Sequence, residues 1–213
     1  MGGEPGVIGS LLVATRSAGK LRELVPMIEA VGLHAVSLDA AGIREVAEED
    51  AIECYHTFEE NALAKARWFS ARAGDALVLA DDSGLSVDAL DGAPGVRSKR
   101  WAAVQGLDGQ ALDDANNAKL VRELAGAANR SARYVCVAAI IGPGIELMAR
   151  GECAGRIMHD PRGDSGFGYD PWFYSDELGE GFGEASIVAK ERVSHRGRAM
   201  RAVLSALAQR GIH

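Results

Sequence analysis

The sequence predicts an α/β fold, and three observations carry that prediction. Short apolar runs closed by turn residues recur at 11–14, 76–80 and 134–141, as buried strands do. Segments with apolar residues at helical spacing lie between and after them. The run 76–80 stops abruptly at Asp81-Asp82-Ser83-Gly84, and open α/β sheets place their ligands at the C-terminal ends of strands.

In chain order, residues 11–14 form the first strand and Thr15-Arg16-Ser17-Ala18-Gly19-Lys20 a small polar turn. A helix follows, with Leu21, Leu24, Val25 and Ile28 at its spacing and Gly32 as its stop. Strand, Gly-Lys loop and helix together suit a phosphate, because amides at a helix start attract anions and a lysine adds charge. A P-loop would need Gly at Ala14 and Ser or Thr at Leu21, so this is not a Walker motif. Residues 34–38 read as a second strand, and 44–56 as an irregular acidic loop able to lend a carboxylate to a nearby metal. Thr57 and Glu60 open the next helix as a capping box; Ala62, Ala66, Phe69 and Ala73 line its inner face and Gly74 ends it. Glu60, Asn61 and Lys65 fall off that stripe and read as exposed helix surface.

Beyond the two aspartates, Leu85, Val87 and Ala89 alternate with Ser86 and Asp88, which predicts a half-exposed strand. Residues 92–95 turn, and Arg97, Lys99 and Arg100 form a basic cluster. A helix is expected over 113–125, a central strand over 134–141 and a hairpin return over 146–153. From Asp160 the chain mixes glycines with rings. Phe167, Gly168, Tyr169 and Asp170 could stack a ring on a flat ligand while the backbone reads its edge. Residues 179–183 read as a flexible link. Lys190, His195 and Arg196 then precede or open the last helix, whose inner side carries Met200, Val203, Leu204 and Leu207. Positive charge there is opposed by the helix dipole, a conflict that a bound anion would relieve.

Composition narrows the partners. The 213 residues are 47% hydrophobic and 25% charged, enough for a substantial core. A formal charge of −7 argues against duplex DNA, which is held through many Lys and Arg contacts. A small polyanion in a local basic pocket stays compatible. Cys54, Cys136 and Cys153 include no CxxC pair, so neither a disulfide framework nor a zinc ribbon is indicated and a reducing cytoplasm is expected. No run is long and apolar enough to span a membrane. Residues 1–8 read as a loose tail without a secretory signal, ahead of a single domain over 9–213.

The paired acids carry the chemistry. Crowding Asp81 and Asp82 is unfavourable unless something offsets their charge. Mg²⁺ would do so, being held by one or two carboxylates plus substrate phosphates. The alternative is that both merely cap a solvated turn.

Four stretches now stand in order: Thr15 to Lys20 after Ala14; Thr57-Phe58-Glu59-Glu60-Asn61-Ala62 with Lys65-Ala66; Ala80-Asp81-Asp82-Ser83-Gly84-Leu85; and Gly166-Phe167-Gly168-Tyr169-Asp170-Pro171 with Ser194-His195-Arg196-Gly197. As a set they resemble the Ham1/RdgB/inosine triphosphatase family. The resemblance implies an elongated mixed-sheet fold of two lobes, flanked by helices around a central cleft. It implies a Mg²⁺-dependent homodimer that hydrolyses ITP, dITP and XTP to the monophosphate and pyrophosphate. On matching positions it makes Asp82 the residue that binds metal and activates water, and Glu48 a second metal carboxylate with Glu49 as its rival. Thr15, Arg16, Ser17, Ala18, Gly19 and Lys20 become the triphosphate loop and Ser83 a substrate contact. Phe167, Gly168, Tyr169, Asp170, Lys190, His195 and Arg196 become the base and phosphate set. Ser17 stands where the family usually has Asn, and 50–56 is longer than the usual acidic loop. The competing readings are a purine nucleotide-binding regulator without turnover and an NTP phosphohydrolase of different specificity.

Overall fold

The computed structural model describes residues 9–212, so the tail expected at 1–8 lies outside the described residues. Strands β1 (Ser10–Val13) and β2 (His34–Ser37) pair in parallel, joined through helix α1 (Ala18–Glu29). Helix α2 (Phe58–Ser70) leads into β3 (Leu77–Val87), which pairs in parallel with the other edge of β1. After α3 (Gly109–Glu123), the strands β4 (Ser131–Gly142), β5 (Ile145–Ile157), β6 (Phe173–Ser175) and β7 (Glu180–Gly181) add in antiparallel fashion. The result is one seven-stranded mixed sheet of order β2-β1-β3-β4-β5-β6-β7, closed by helices α4 (Ile187–Val193) and α5 (His195–Ala208). This is the α/β class read from the sequence.

Side chains alternate across a strand, so each face of the sheet builds its own core. On one face Leu11, Val13, Leu79 and Ile140 pack with Leu24 and Ile28 of α1 and Met200, Val203 and Leu207 of α5. On the other, Leu12, Val78, Ala80 and Ala139 pack under Phe58, Ala62, Ala66 and Phe69 of α2. The long strands β3, β4 and β5 run on into a third cluster, where Leu85, Val87, Tyr134, Phe173 and Phe182 meet Leu120 and Leu124. The two lobes implied by the resemblance are thus the two ends of one sheet.

The main departure from the sequence reading is β3. The acids do not end it. The strand runs through Asp81-Asp82-Ser83-Gly84, paired with β4 from Val78↔Ile141 to Val87↔Ala132. Leu85, Ser86 and Val87 are therefore buried, and Ala89 belongs to the short turn Asp88–Leu90 instead of a half-exposed strand. Gly84 makes room for the 95–98 segment against the strand, since a Cβ there would lie 2.4 Å from the Gly95 carbonyl oxygen and 2.4 Å from Ser98 Oγ. A second correction concerns 179–183. This stretch is no flexible link: β7 pairs with β6, and Phe182 is fully buried, its amide donating to the Phe173 carbonyl at 2.9 Å. Helix α1 also begins earlier than its apolar spacing suggested, because Ser17 caps it by accepting from the Lys20 amide.

Helix α5 lies close over β5. A Cβ on Gly151 would stand 2.2 Å from the His195 carbonyl oxygen and 2.6 Å from the Ala199 nitrogen, both backbone atoms that cannot rotate away. Gly151→Ala is expected to cost about 2–3 kcal/mol by forcing strand and helix apart. Denaturant unfolding checks this: the midpoint should fall at constant slope, and an unchanged midpoint would show that this contact does not set the helix position.

Candidate active site

The alternation that builds the two cores also places the acids. Asp81 follows Leu79 onto the α1–α5 face, and Asp82 follows Val78 and Ala80 onto the α2 face. Neighbours in sequence, the two carboxylates meet different partners.

Asp81 is almost wholly buried. Its Oδ2 receives Lys20 Nζ at 3.0 Å and Arg196 Nε at 3.3 Å, with the Cys136 thiol donating at 3.8 Å. Burial alone would raise its pKa. The positive charges of Lys20, Arg196 and Lys65 outweigh burial and hold the carboxyl well below the usual range. Asp81 is thus a fixed anion that gathers cations. Lys20 also donates to the Asp81 carbonyl at 3.3 Å, and Lys65 of α2 reaches the same carbonyl at 3.2 Å.

Asp82 is 6% exposed. One of its oxygens accepts the Asn61 side-chain amide at 3.0 Å, the other the Ser83 backbone amide at 2.9 Å. Burial and then the charge of Glu53 push its pKa up to about 6, against the pull of Lys20, Lys65 and Asn61. Glu53 itself accepts Lys65 Nζ at 2.6 Å. Asn61 and Lys65 therefore bond the two aspartates and Glu53 and are not the exposed surface expected of them. They lie one position before Ala62 and Ala66, so they border the buried stripe and turn polar groups toward β3. A polar pair four apart beside small alanines was the available signal. Glu53, by contrast, looks in sequence like any other acid of its loop.

The β1–α1 loop brings Lys20 beside Asp81, while Thr15 and Ser17 serve the loop itself. Thr15 Oγ1 accepts from the Ser17 amide at 3.2 Å, and Ser17 is the cap of α1. Ala18, Gly19 and Lys20 form the first turn; Ser17 takes the Lys20 amide, and the amides of Ala18 and Gly19 have no partner within the helix. Arg16 is engaged elsewhere, on Glu49 at 2.9 and 3.1 Å and on Asp39 at 3.1 Å.

Around the start of α5, carboxylates of the chain itself resolve the charge conflict noted in the sequence. Glu23 of α1 accepts from both Lys190 and Arg196. Lys190 also meets Asp170 at 2.6 Å, and Arg196 Nη2 donates to Ser83 Oγ at 2.8 Å. His195 is not a third cation. It is buried and stacked on Tyr134 at 4.5 Å; burial and then the charges of Arg196 and Lys190 hold its imidazole neutral, with Nδ1 lacking a partner among the described residues. In the glycine-aromatic stretch, Tyr169 and Asp170 are scaffold. The Tyr169 hydroxyl donates to the Ser98 carbonyl at 2.8 Å, and Asp170 accepts from the Phe167 amide at 2.8 Å and from the Tyr134 hydroxyl at 3.3 Å. Gly168 is held through both its amide, by Asp113, and its carbonyl, by Asn117. Phe167 is the partly exposed ring, lying against Gly19 and facing Lys190 and Arg196 at 5.4 and 5.5 Å.

Among the described residues, no three His, Cys, Asp or Glu side chains group closely enough to hold a metal alone. Two carboxylates pressing on each other still suit a divalent ion whose shell substrate oxygens and water complete. Glu48, expected as the second metal carboxylate, is exposed, and Glu49 is occupied by Arg16. The carboxylate whose charge reaches Asp82 is Glu53.

The two aspartates should respond oppositely to removal of charge in metal-free buffer. The Asp82 pKa is raised on folding, so its ionised form opposes folding above about pH 6 and the effect vanishes below the unfolded value. Asp82→Asn is expected to gain about 1–3 kcal/mol at pH 8 and nothing near pH 4. The Asp81 pKa is lowered, so its contribution is present above the unfolded value and lost as pH falls. Asp81→Asn leaves Lys20 and Arg196 short of a partner and is expected to cost about 3–5 kcal/mol at pH 8. Thermal and denaturant unfolding across pH read both; equal shifts of the same sign would refute the division of labour.

The sequence profile of the Ham1 family matches residues 11–206. A dITP/XTP pyrophosphatase of Ralstonia nicotianae is 45% identical over 193 residues, covering 89% of this chain and 92% of that protein. A solved HAM1 protein from Coxiella burnetii is similar with a TM-score of 0.79 at 30% identity, covering 94% of this chain and 99% of that one. The crystal structure of a nucleoside-triphosphatase / dITP/XTP pyrophosphatase from Mycobacterium abscessus gives a TM-score of 0.67 at 38% identity, covering 92% and 98%. With profile, sequence and fold in agreement across nearly its whole length, the chain belongs to the Ham1 family.

Proposed function

We propose that the chain is a nucleoside triphosphate pyrophosphatase that hydrolyses ITP, dITP and XTP to the nucleoside monophosphate and pyrophosphate. One observation carries the reading: a buried carboxylate, Asp82, with its pKa pushed up to about 6, stands beside two lysines near the first turn of α1. A base poised there can take a proton from water near neutral pH.

The roles follow from the geometry. Lys20 and the first-turn amides of α1 bind the phosphate tail, and Lys65 adds charge on the other face of β3. Asp82 accepts the proton of a water directed at the α-phosphorus, and Asn61 orients its carboxylate. Asp82 and Glu53 would hold a divalent ion, which we take to be Mg²⁺; when bound it supplies positive charge for the phosphates and for the charge that develops on the departing pyrophosphate. At the base end, Phe167 offers a ring to stack on. Arg196, Lys190 and His195 offer N–H groups, which suit the oxygen at position 6 of hypoxanthine and xanthine better than the amine of adenine. The reading includes a homodimer and a cytoplasmic location. The three unpaired cysteines fit reducing surroundings, and among the described residues no helix is long and apolar enough to cross a membrane.

The test is a panel of nucleoside triphosphates with Mg²⁺, scored for products. Monophosphate plus pyrophosphate from ITP, dITP and XTP, with ATP spared, is the expected result. Diphosphate plus phosphate would point to a different phosphohydrolase, and tight binding without turnover to a regulator. Asp82→Asn should lower kcat by about 10²–10⁴-fold while still binding nucleotide. Lys20→Ala should mainly weaken capture of the triphosphate, and unchanged kinetics would remove Lys20 from that role.

A further inference from the structure

Arg16 lies in the loop that a triphosphate would approach, yet its guanidinium is held by carboxylates of two neighbouring segments. Nε and Nη2 form a fork on Glu49 at 3.1 and 2.9 Å, and Nη1 meets Asp39 at 3.1 Å. The two partners differ in shielding: the Asp39 side chain is 92% exposed and that of Glu49 only 13%. Screening leaves little to the first contact, whereas the two-pronged contact to Glu49 fixes direction as well as distance.

Glu49 belongs to the short turn Ala47–Ala51 within the acidic segment 44–56, and it also accepts the Val46 amide at 3.3 Å. The downstream end of that segment reaches the site itself. Glu53 is the partner of Lys65 and the negative charge that acts on Asp82. The Tyr55 amide donates to Asn61 Oδ1 at 2.9 Å, and Asn61 passes the connection to Asp82. The segment is also anchored by the partly buried Ile43 just before it and Ile52 within it, and by an exposed Arg100–Asp50 pair at 3.4 Å.

We propose that Arg16 is a positioning residue: with Glu49 it latches segment 44–56 to the β1–α1 loop and so sets Glu53 beside Asp82, instead of contacting the substrate phosphates. The consequence for metal use rests on the pyrophosphatase reading; the latch itself does not. A lysine keeps the charge of Arg16 but cannot form the fork, and a glutamine keeps the shape of Glu49 without its charge. Arg16→Lys and Glu49→Gln should therefore behave alike, and the double variant should be no worse than either single one.

Hydrogen exchange without nucleotide, together with a Mg²⁺ titration of turnover, tests this on the full chain. In both single variants and in the double, amides of 44–56 are expected to exchange roughly ten-fold faster, with Asp39→Asn unchanged. The Mg²⁺ concentration for half-maximal rate should rise roughly three- to ten-fold, while KM for ITP at saturating Mg²⁺ stays within about twofold. Unchanged exchange in Arg16→Lys and Glu49→Gln would overturn the latch. So would a raised KM in Arg16→Lys alone, which would make Arg16 a phosphate ligand. If the wild-type chain releases no pyrophosphate, the functional reading falls and the exchange result still decides the latch.

Discussion

Two carboxylates side by side in a buried strand can persist only if their surroundings treat them differently, and the rest of the structure follows from that constraint. Alternation along β3 sends Asp81 to one face and Asp82 to the other. On the first face Lys20 from α1 and Arg196 from α5 converge on the carboxylate and keep it ionised. On the second, α2 supplies the Asn61 amide and the more weakly acting Lys65, and the charge that acts most strongly is another acid, Glu53. One aspartate becomes a structural anion, its neighbour a group whose proton is easily gained or lost. Three helices are needed to sustain the difference, which is why the site lies where all three close on the same strand.

The cations near α5 show how such a site is organised in advance. Lys190 and Arg196 are both buried, a costly arrangement unless each is paired. Glu23, Asp81 and Asp170 pair them, and Asp170 also ties the Phe167 turn and the Tyr134 hydroxyl into the same network. Rigidity at this end comes from side chains of the chain itself, which hold both cations in fixed positions. A neutral His195, stacked on Tyr134, completes the wall without adding charge.

Much of this was legible in the sequence, for reasons that differ by element. Periodicity revealed α2 because Thr57, Ala62, Ala66 and Phe69 record one cap and one buried stripe. The Gly-Lys loop stood out because small residues and a cation follow the end of β1, and Asp82 because an acidic pair interrupts an apolar run. What was hidden depends on the third dimension. An acidic pair reads as a strand stop when nothing in the local sequence reveals that Lys20 lies 61 positions from its hydrogen-bond partner at Asp81 and Arg196 115 positions away. Asn61 and Lys65 read as surface because only their partners make them interior. Glu53 could not be told from Glu48 or Glu49, since which acid of a loop faces the site is settled by the path of its backbone and by Arg16.

The balance of charge around Asp82 bears on how an acidic protein can take a polyanion at all. Lys20 and Lys65 are the two cations nearest the proposed phosphate tail, and they face Asp81, Asp82 and Glu53. With Arg196 and Lys190 included, the five carboxylates of Asp81, Asp82, Glu53, Glu23 and Asp170 still outnumber the four cations, so a bare triphosphate would meet a site that already carries negative charge. A divalent ion reverses that sign, and an ion carried in by the phosphates would make capture and activation one event. In the same way the raised pKa of Asp82 becomes intelligible: burial and the charge of Glu53 favour its protonated form, and a proton there lessens the negative charge of the site.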